Sequence, residues 1–322
     1  MSIMDMQVSK ARNGRRVGVL PLRGFAMMSF AALTEPMRAA NLLAGKTLYQ
    51  MTCLSVDGGP VQSSGAGWVQ ADAAISPDQK LDDLFLIAGG DPARFEDRDL
   101  MHWLSRQSRQ GTMIGGVSGG PVVLAQAGLM TGRRMTVHWE YAAALAEISP
   151  HLAIERSLYV IDRDRVTCAG GTAPLDLMHT LIAKHHGASF ARRVTDWFMH
   201  TDIRPSAGPQ RSGMVERVGT SVPAIIDAIA AMEAHVSDPL TLEDLAARAS
   251  LSKRQLNRLF RERMQQSVMT YYRSLRLEKA RGLLRSSPLR LTEIALATGF
   301  ANSSHFSRSY AAHFGEPPSA YR

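Results

Sequence analysis

Two stretches near the C-terminal end of this 322-residue chain are one unit written twice. The first, LTLEDLAARASLSKRQLNRLFRERM, ends at Met264, and the second, LRLTEIALATGFANSSHFSRSYAAHF, ends at Phe314. Leu242 matches Leu291, Leu245 matches Ile294 and Ala246 matches Ala295. Leu251 then matches Phe300, and beyond the turn Leu256 matches Phe306 and Phe260 matches Tyr310. The offset is 49 residues before the turn and 50 after it, so the second copy carries one extra turn residue. Each copy reads as a short helix, a tight turn and a longer helix, which is a helix-turn-helix signal in duplicate. A repeat of this kind constrains the last 82 residues, Thr241–Arg322, to an all-α fold.

Charge gives that segment a partner. Residues 241–322 hold 14 Lys/Arg against 6 Asp/Glu, a net of +8, and residues 1–240 balance at 23 of each. The whole excess therefore sits on the repeat, the electrostatic footprint of a nucleic-acid-binding module beside a neutral domain. In the first copy Ser252 is placed to cap the longer helix, with Gln255 at the reciprocal position. Lys253, Arg254, Asn257, Arg258 and Arg261 then fall on its outer face, and Arg and Asn suit bidentate reading of base edges in a major groove. In the second copy Gly299 supplies the turn and Asn302 or Ser303 the cap. The outer face there is Ser303, Ser304, His305, Ser307 and Arg308, less basic and suited to phosphates or base edges. Ser252 joins these residues in the expected contact set. A long helix, Ser267–Arg285, separates the two readers.

The remainder alternates strands and helices. Arg16–Leu22, Tyr49–Val56, Asp83–Ala88 and Thr112–Val117 read as strands. Ala26–Leu43, Asp97–Arg109, Ser118–Ala127 and Tyr141–Ile148 read as helices. Leu158–Asp162 and Val166–Ala169 form a hairpin, followed by helices Ala173–His186 and Ala188–Phe198. That order implies an α/β domain over 16–200 with a largely parallel, flavodoxin-like sheet. Residues 1–15 read as disordered and 201–221, rich in Pro and Gly, as a linker to the DNA-binding domain at 222–322. No apolar run is long enough to span a membrane. The N-terminus has no leader pattern, so a cytoplasmic location is expected. Cys53 and Cys168 stand in no metal spacing, and His185-His186 lacks a Cys or acidic partner, so neither metal nor cofactor is expected.

Gly115-Gly116-Val117-Ser118-Gly119-Gly120-Pro121 lies between a strand and a helix, a nucleophile-elbow arrangement. From the residues alone two readings stand: a Ser/His hydrolase with His138 as base, or a binding site without chemistry.

The C-terminal stretch LTEIALATGFANSSHFSRSYAAHFGEPPSAYR closely resembles the double helix-turn-helix domain of AraC/XylS-type transcriptional regulators. That resemblance implies two reading helices entering successive major grooves about 34 Å apart. Residues 16–200 resemble the DJ-1/PfpI, or class I glutamine-amidotransferase-like, fold. Enzymes of that superfamily carry cysteine where this chain has Ser118, and many carry an acidic residue at the position aligned with Ser29. Together with EPMRAANLLAGKTLY, RRMTVHWE, TCAGGTAPLDLM and VTDWFMHTDIR, the two halves are similar to AraC-type regulators with an amidotransferase-like first domain. Members of that group respond to arginine, carnitine, glycine betaine or related amino acids.

The resemblance implies a ligand-responsive regulator of double-stranded promoter DNA, an activator of catabolic genes for a small nitrogen compound. It would work as a homodimer with RNA polymerase, without catalysis. The alternative is a DJ-1/PfpI-type hydrolase or amidase with a DNA-binding tail. Fold geometry puts an effector at the carboxyl ends of the strands. The expected set there is Gly89, Gly90, Ser118, Gly119, Gly120, His138, Trp139, Glu140 and Trp68. The helix starting at Ser118 would offer amides to a carboxylate, and Trp139 with Glu140, or Trp68, would face a cation.

Overall fold

The computed structural model describes residues 14–321. They divide into two compact units with the boundary between Gln210 and Arg211.

The first unit runs β1 (Arg15–Pro21), α1 (Met27–Ala44), β2 (Tyr49–Ser55), β3 (Val61–Gln62), β4 (Trp68–Val69), β5 (Ala73–Ala74) and β6 (Asp83–Ala88). It continues through α2 (Arg98–Arg109), β7 (Met113–Ser118), α3 (Gly120–Gln126), β8 (Arg134–Met135), α4 (Trp139–Ile148) and β9 (Ala153–Ile154). β10 (Tyr159–Asp162), β11 (Arg165–Cys168), α5 (Ala173–His186) and α6 (Ala188–Trp197) complete it. The main sheet has the order β10-β11-β7-β6-β1-β2-β5. Every pairing in it is parallel except the β10–β11 hairpin. This is the α/β architecture that the alternation of strands and helices predicts.

Side-chain alternation along the strands sorts the core into two layers. Val17, Val19, Phe85 and Ile87 pack with Leu33 and Met37 of α1 and Leu177 and Leu181 of α5. Leu20, Leu22, Leu84 and Leu86 pack with Leu100 and Leu104 of α2, Val123 of α3 and Leu145 of α4. The chain order reverses between β1 and β6, so the crevice at their carboxyl ends is the topological switch point of the sheet.

Residues 1–13 of the stretch expected to be disordered lie outside the described residues. Arg15 does not share that character: it opens β1, donates from its backbone to the Leu48 carbonyl at 2.7 Å, and pairs with buried Asp83 at 2.5 Å. The linker reading of 201–221 is also corrected. Asp176 of α5 is fully buried and needs partners, which His200 (2.8 Å) and Arg204 (2.6 Å) supply. Gln210 Nε2 donates to the Val137 and Ser157 carbonyls at 3.1 and 2.7 Å. These contacts fasten 201–210 to the first unit.

The second unit is helical: α7 (Met214–Val218), α8 (Pro223–Ala234), α9 (Leu242–Arg248), α10 (Lys253–Met264), α11 (Val268–Ser286), α12 (Leu291–Ala297) and α13 (Ser303–Phe314). α7 lies inside the expected linker and is tied to α8 by the Arg217–Glu233 pair at 2.9 Å. The first helix-turn-helix packs Leu245, Ala246, Leu256 and Phe260 on Ile225, Ile229 and Tyr272. The second buries Ile294, Ala295, Phe300, Phe306 and Tyr310. Its rings run as a ladder, Phe300–Phe306 at 5.4 Å, Phe306–Tyr310 at 5.6 Å and Tyr310–Phe314 at 4.5 Å.

A joint on α11 connects the two halves. Arg276 donates to the Gly299 carbonyl at 2.8 Å and stacks over Phe300 (4.7 Å) and Tyr272 (5.5 Å). Tyr272 in turn donates to the His235 carbonyl at 2.5 Å. Gly299 has φ 71, and a Cβ there would stand 2.4 Å from Pro239, so the turn of the second copy needs glycine for both conformation and space. Among the described residues no helix is long and apolar enough to cross a membrane.

Candidate functional site

The elbow survives in full geometry. Ser118, the last residue of β7, has φ 61. A non-glycine residue in that region carries strain of about 1–3 kcal/mol and persists only where the surroundings impose it. Here they do: a Cβ on Gly120 would stand 2.2 Å from the Leu86 carbonyl oxygen, and one on Gly119 would stand 2.9 Å from Pro92. Both glycines let α3 approach the strand ends. α3 begins at Gly120, not at Ser118, and the Gly119 N–H donates to the Ala88 carbonyl at 2.9 Å. That amide extends the β6–β7 ladder, which removes it from the donors expected for a ligand carboxylate.

Two residues that spacing did not reveal complete the elbow. A Cβ on Gly170 would stand 2.7 Å from the Ser118 Cβ and 3.0 Å from the Ser29 Oγ, and the Gly171 N–H donates to Ser29 Oγ at 2.8 Å. Ser29 and Ser118 are thus gathered around the Gly170-Gly171 turn that opens α5, both almost wholly buried. A Gly-Gly pair directly before a helix was the available signal.

His138 is joined to the elbow through its backbone, whose N–H donates to the Ser118 carbonyl at 3.2 Å. It caps α4: Nδ1 accepts from the Glu140 N–H at 3.3 Å. Burial holds its pKa below the usual histidine value, with Glu140 opposing weakly. A neutral ring accepting at Nδ1 carries its proton on Nε2, so it has no free lone pair with which to take a proton from Ser118. Trp139 is 45% exposed and stacks near His138 at 5.2 Å. Trp68, on β4, is 57% exposed and belongs to a different hairpin, whose Gly67 lies against Met27.

Gly89 and Gly90 close β6 and line a cleft of about 180 Å³ with Arg23, Asp91, Arg94 and Phe95. The other expected ligand residues, Ser118, Gly119, Gly120, His138, Trp139, Glu140 and Trp68, are not on its walls. Its floor, Leu22, Ala88 and Val123, belongs to the α2/α3 layer, whereas Ser118 turns toward α1 and Gly170. The expected set is therefore not gathered in one cleft.

In the second unit the two longer helices of the repeat are capped as their sequences predict. Ser252 N–H donates to Gln255 Oε1 at 2.9 Å while Gln255 N–H donates back to Ser252 Oγ at 3.3 Å. Of the two candidates in the second copy, Asn302 is the cap, accepting from the His305 N–H at 2.8 Å. Lys253, Arg254, Arg258 and Arg261 are exposed on α10. Lys253 pairs with Glu243 at 3.0 Å and Arg258 with Glu262 at 3.7 Å, both in solvent. Arg254 and Arg261 have no ion pair among the described residues. Asn257 departs from the expected face: its Oδ1 accepts from the Val268 N–H at 3.1 Å, satisfying an amide at the start of α11. With that oxygen engaged it cannot offer the paired oxygen and amide that reading adenine requires. On α13, Ser304, His305 and Arg308 are exposed and Ser303 and Ser307 half-buried. The His305 ring leans on Phe300 at 5.6 Å.

An α/β unit with an elbow, joined to paired helix-turn-helix units with a basic outer face, defines a two-domain DNA-binding protein. The DJ-1/PfpI family profile matches residues 16–184 and a helix-turn-helix domain profile matches 245–322. The HTH-type transcriptional regulator GlxA of Rhizobium meliloti (strain 1021) is 44% identical over 315 residues, 98% of this chain and 97% of that protein. The HTH-type transcriptional regulator CdhR of Pseudomonas aeruginosa is 43% identical, over 94% of this chain and 90% of its own length. Among solved structures an AraC family transcriptional regulator from Pseudomonas putida covers 57% of this chain and 99% of its own, at 28% identity and a TM-score of 0.52. The chain belongs to the HTH-type transcriptional regulators that join a DJ-1/PfpI domain to an AraC-type DNA-binding domain.

Proposed function

We propose that this regulator senses a small nitrogen compound and activates genes for its catabolism, as a cytoplasmic homodimer engaging promoter DNA and RNA polymerase. The DNA interface is carried by Ser252, Lys253, Arg254, Arg258 and Arg261 on α10, with Ser303, Ser304, His305, Ser307 and Arg308 on α13. The observation that supports it best is the outer face of α10, where Arg254 and Arg261 stand exposed without an ion pair among the described residues. Such cations are available to phosphates and guanine edges at no cost of a broken pair. DNA affinity should fall steeply between 50 and 200 mM salt, as counterion release demands; a flat titration would remove the basic-face assignment.

The first domain acts as the sensor and not as an enzyme. Serine at the elbow needs a strong base to be nucleophilic, and His138 accepts at Nδ1 with its proton on the other nitrogen. The strained elbow favours the rival hydrolase reading. Turnover of amide, ester or glyoxal substrates that disappears in Ser118→Ala would establish that rival. A thermal-shift screen with carnitine, betaines, arginine and simple amino acids tests the sensor role, because a ligand that binds only the folded state raises its stability. A screen in which nothing shifts the transition would sink it.

A further inference from the structure

The segment 201–210 has no periodicity of its own, yet it is tied at both ends to the turns that frame Ser118. At one end Arg204 donates from its backbone to Asp176 Oδ1 at 3.0 Å and from Nε to Oδ2 at 2.9 Å, and its Nη2 donates to Thr172 Oγ1 at 3.0 Å. Thr172 follows the Gly170-Gly171 turn, where Gly170 stands against Ser118 and the Gly171 N–H donates to Ser29. At the other end the Gln210 amide donates to Thr136 Oγ1 at 3.0 Å as well as to the Val137 and Ser157 carbonyls. Val137 precedes His138, whose N–H donates to the Ser118 carbonyl. Between the two ends the Leu158 N–H donates to the Ser206 carbonyl at 2.8 Å. Gly208 is buried there, and a Cβ on it would stand 3.1 Å from Leu158 Cδ1.

The two ends are not equally firm. Asp176 is fully buried between His200 and Arg204, and a buried carboxylate stripped of its partner is among the costliest losses a fold can take. Gln210 offers two amide hydrogens to three acceptors, and its Oε1 is buried with no hydrogen-bond partner. Desolvation of that oxygen offsets what the amide gains. The Gln210 end is therefore the one that lets go first. With the segment docked, the chain runs from Gln210 to Met214, where α7 begins, a reach of about 14 Å. With 205–210 detached it runs from Arg204 to Met214, a reach of about 35 Å.

Ser118 stands where the two ends meet. Its φ of 61 fixes the direction of its carbonyl, and that carbonyl holds His138 and, through it, the acceptors of Gln210. We infer that 205–210 is a releasable strap that peels from Gln210, and that the backbone setting of Ser118 governs its release. The elbow then sets the length of chain between the anchored part of the first unit and the DNA-binding unit. This inference rests on the sensor reading and gives it a mechanical output, a two-state element that a shift of the elbow biases.

Hydrogen exchange and limited trypsin digestion of the full-length protein test it. In Gln210→Glu a carboxylate faces the Val137 and Ser157 carbonyls. Exchange over 206–210 and at Leu158 should rise at least tenfold, while the Arg204 N–H stays protected. Cleavage after Arg211 should speed up with it, because cutting follows the open population. Gln210→Met, neutral and of similar length, should act in the same direction and keeps the test decisive if the carboxylate unfolds the domain. Ser118→Gly, which frees φ and touches no strap atom, should raise the same exchange at least threefold; Ser118→Ala, which keeps a Cβ, should not. Unchanged exchange in both Gln210 variants, or Arg204 exchanging together with 206–210, overturns the strap. Equal exchange in Ser118→Gly and Ser118→Ala overturns its control by the elbow. Neither result touches the sensor reading, which falls only if the ligand screen finds no binder.

Discussion

α10 and α13 hold the same place in a repeated unit and present different chemistry. Each is twelve residues long, begins at a capped residue and buries two side chains one turn apart, Leu256 with Phe260 and Phe306 with Tyr310. Around that shared plan the exposed positions diverge: five cations on α10, against short hydroxyls, His305 and one arginine on α13. The inner faces diverge as well, since the first unit shares a mixed core with α8 and the second relies on its ring ladder. The positions that match across the copies are those that make the fold, and those that differ are those that face outward. That comparison predicts that α10 discriminates bases and that α13 docks.

The largest test removes the ring ladder. Phe306→Ala should cost about 3–5 kcal/mol of stability in the second unit, as large-to-small core changes do. Hydrogen exchange should show α12 and α13 opening while α9 and α10 stay protected. If all four open together, the units are one cooperative body and the comparison between them loses its meaning.

Next comes the division of labour. Arg254→Ala should weaken specific DNA binding by roughly 1–3 kcal/mol and relax preference at one base position. Ser304→Ala should lower affinity by less, and evenly across sequences. A reversed order, measured by competition with mutated operators, would make α13 the discriminating helix.

The smallest effect falls on Asn257. As a cap for the start of α11, its loss in Asn257→Ala should reduce stability by about 1 kcal/mol. DNA preference should not change once the folded fraction is matched. A shift in base preference would return Asn257 to the reading face.

What could be read in the sequence was what repeats or alternates. The helix-turn-helix pair, the parallel strands and the caps at Ser252 and Asn302 are local patterns, and their residues lie within a few positions of one another. The elbow was legible for the same reason. Its surroundings were not: Ser29 and Gly171 are 142 residues apart and meet only because α1 and α5 cover the same face. The cleft behaves likewise, since Arg23 and Asp91 follow strands adjacent in the sheet but distant in the chain. Asn257 was misplaced because helical spacing shows which way a side chain points and not which later segment comes round to meet it. The linker looked structureless because its order comes from Asp176 and Gln210, not from any periodicity of its own.

The Arg276 joint bears on a property of the operator. DNA turns once in about 10–10.5 base pairs, so one base pair added between two contact sites swings the second round the axis by about 34°. Two readers on a slack tether would follow that rotation. Readers clamped by a guanidinium between two rings, with a glycine turn wedged against Pro239, cannot. The clamp predicts that operator spacing is held as strictly as its letters, so that one inserted base pair should weaken binding as surely as a substitution.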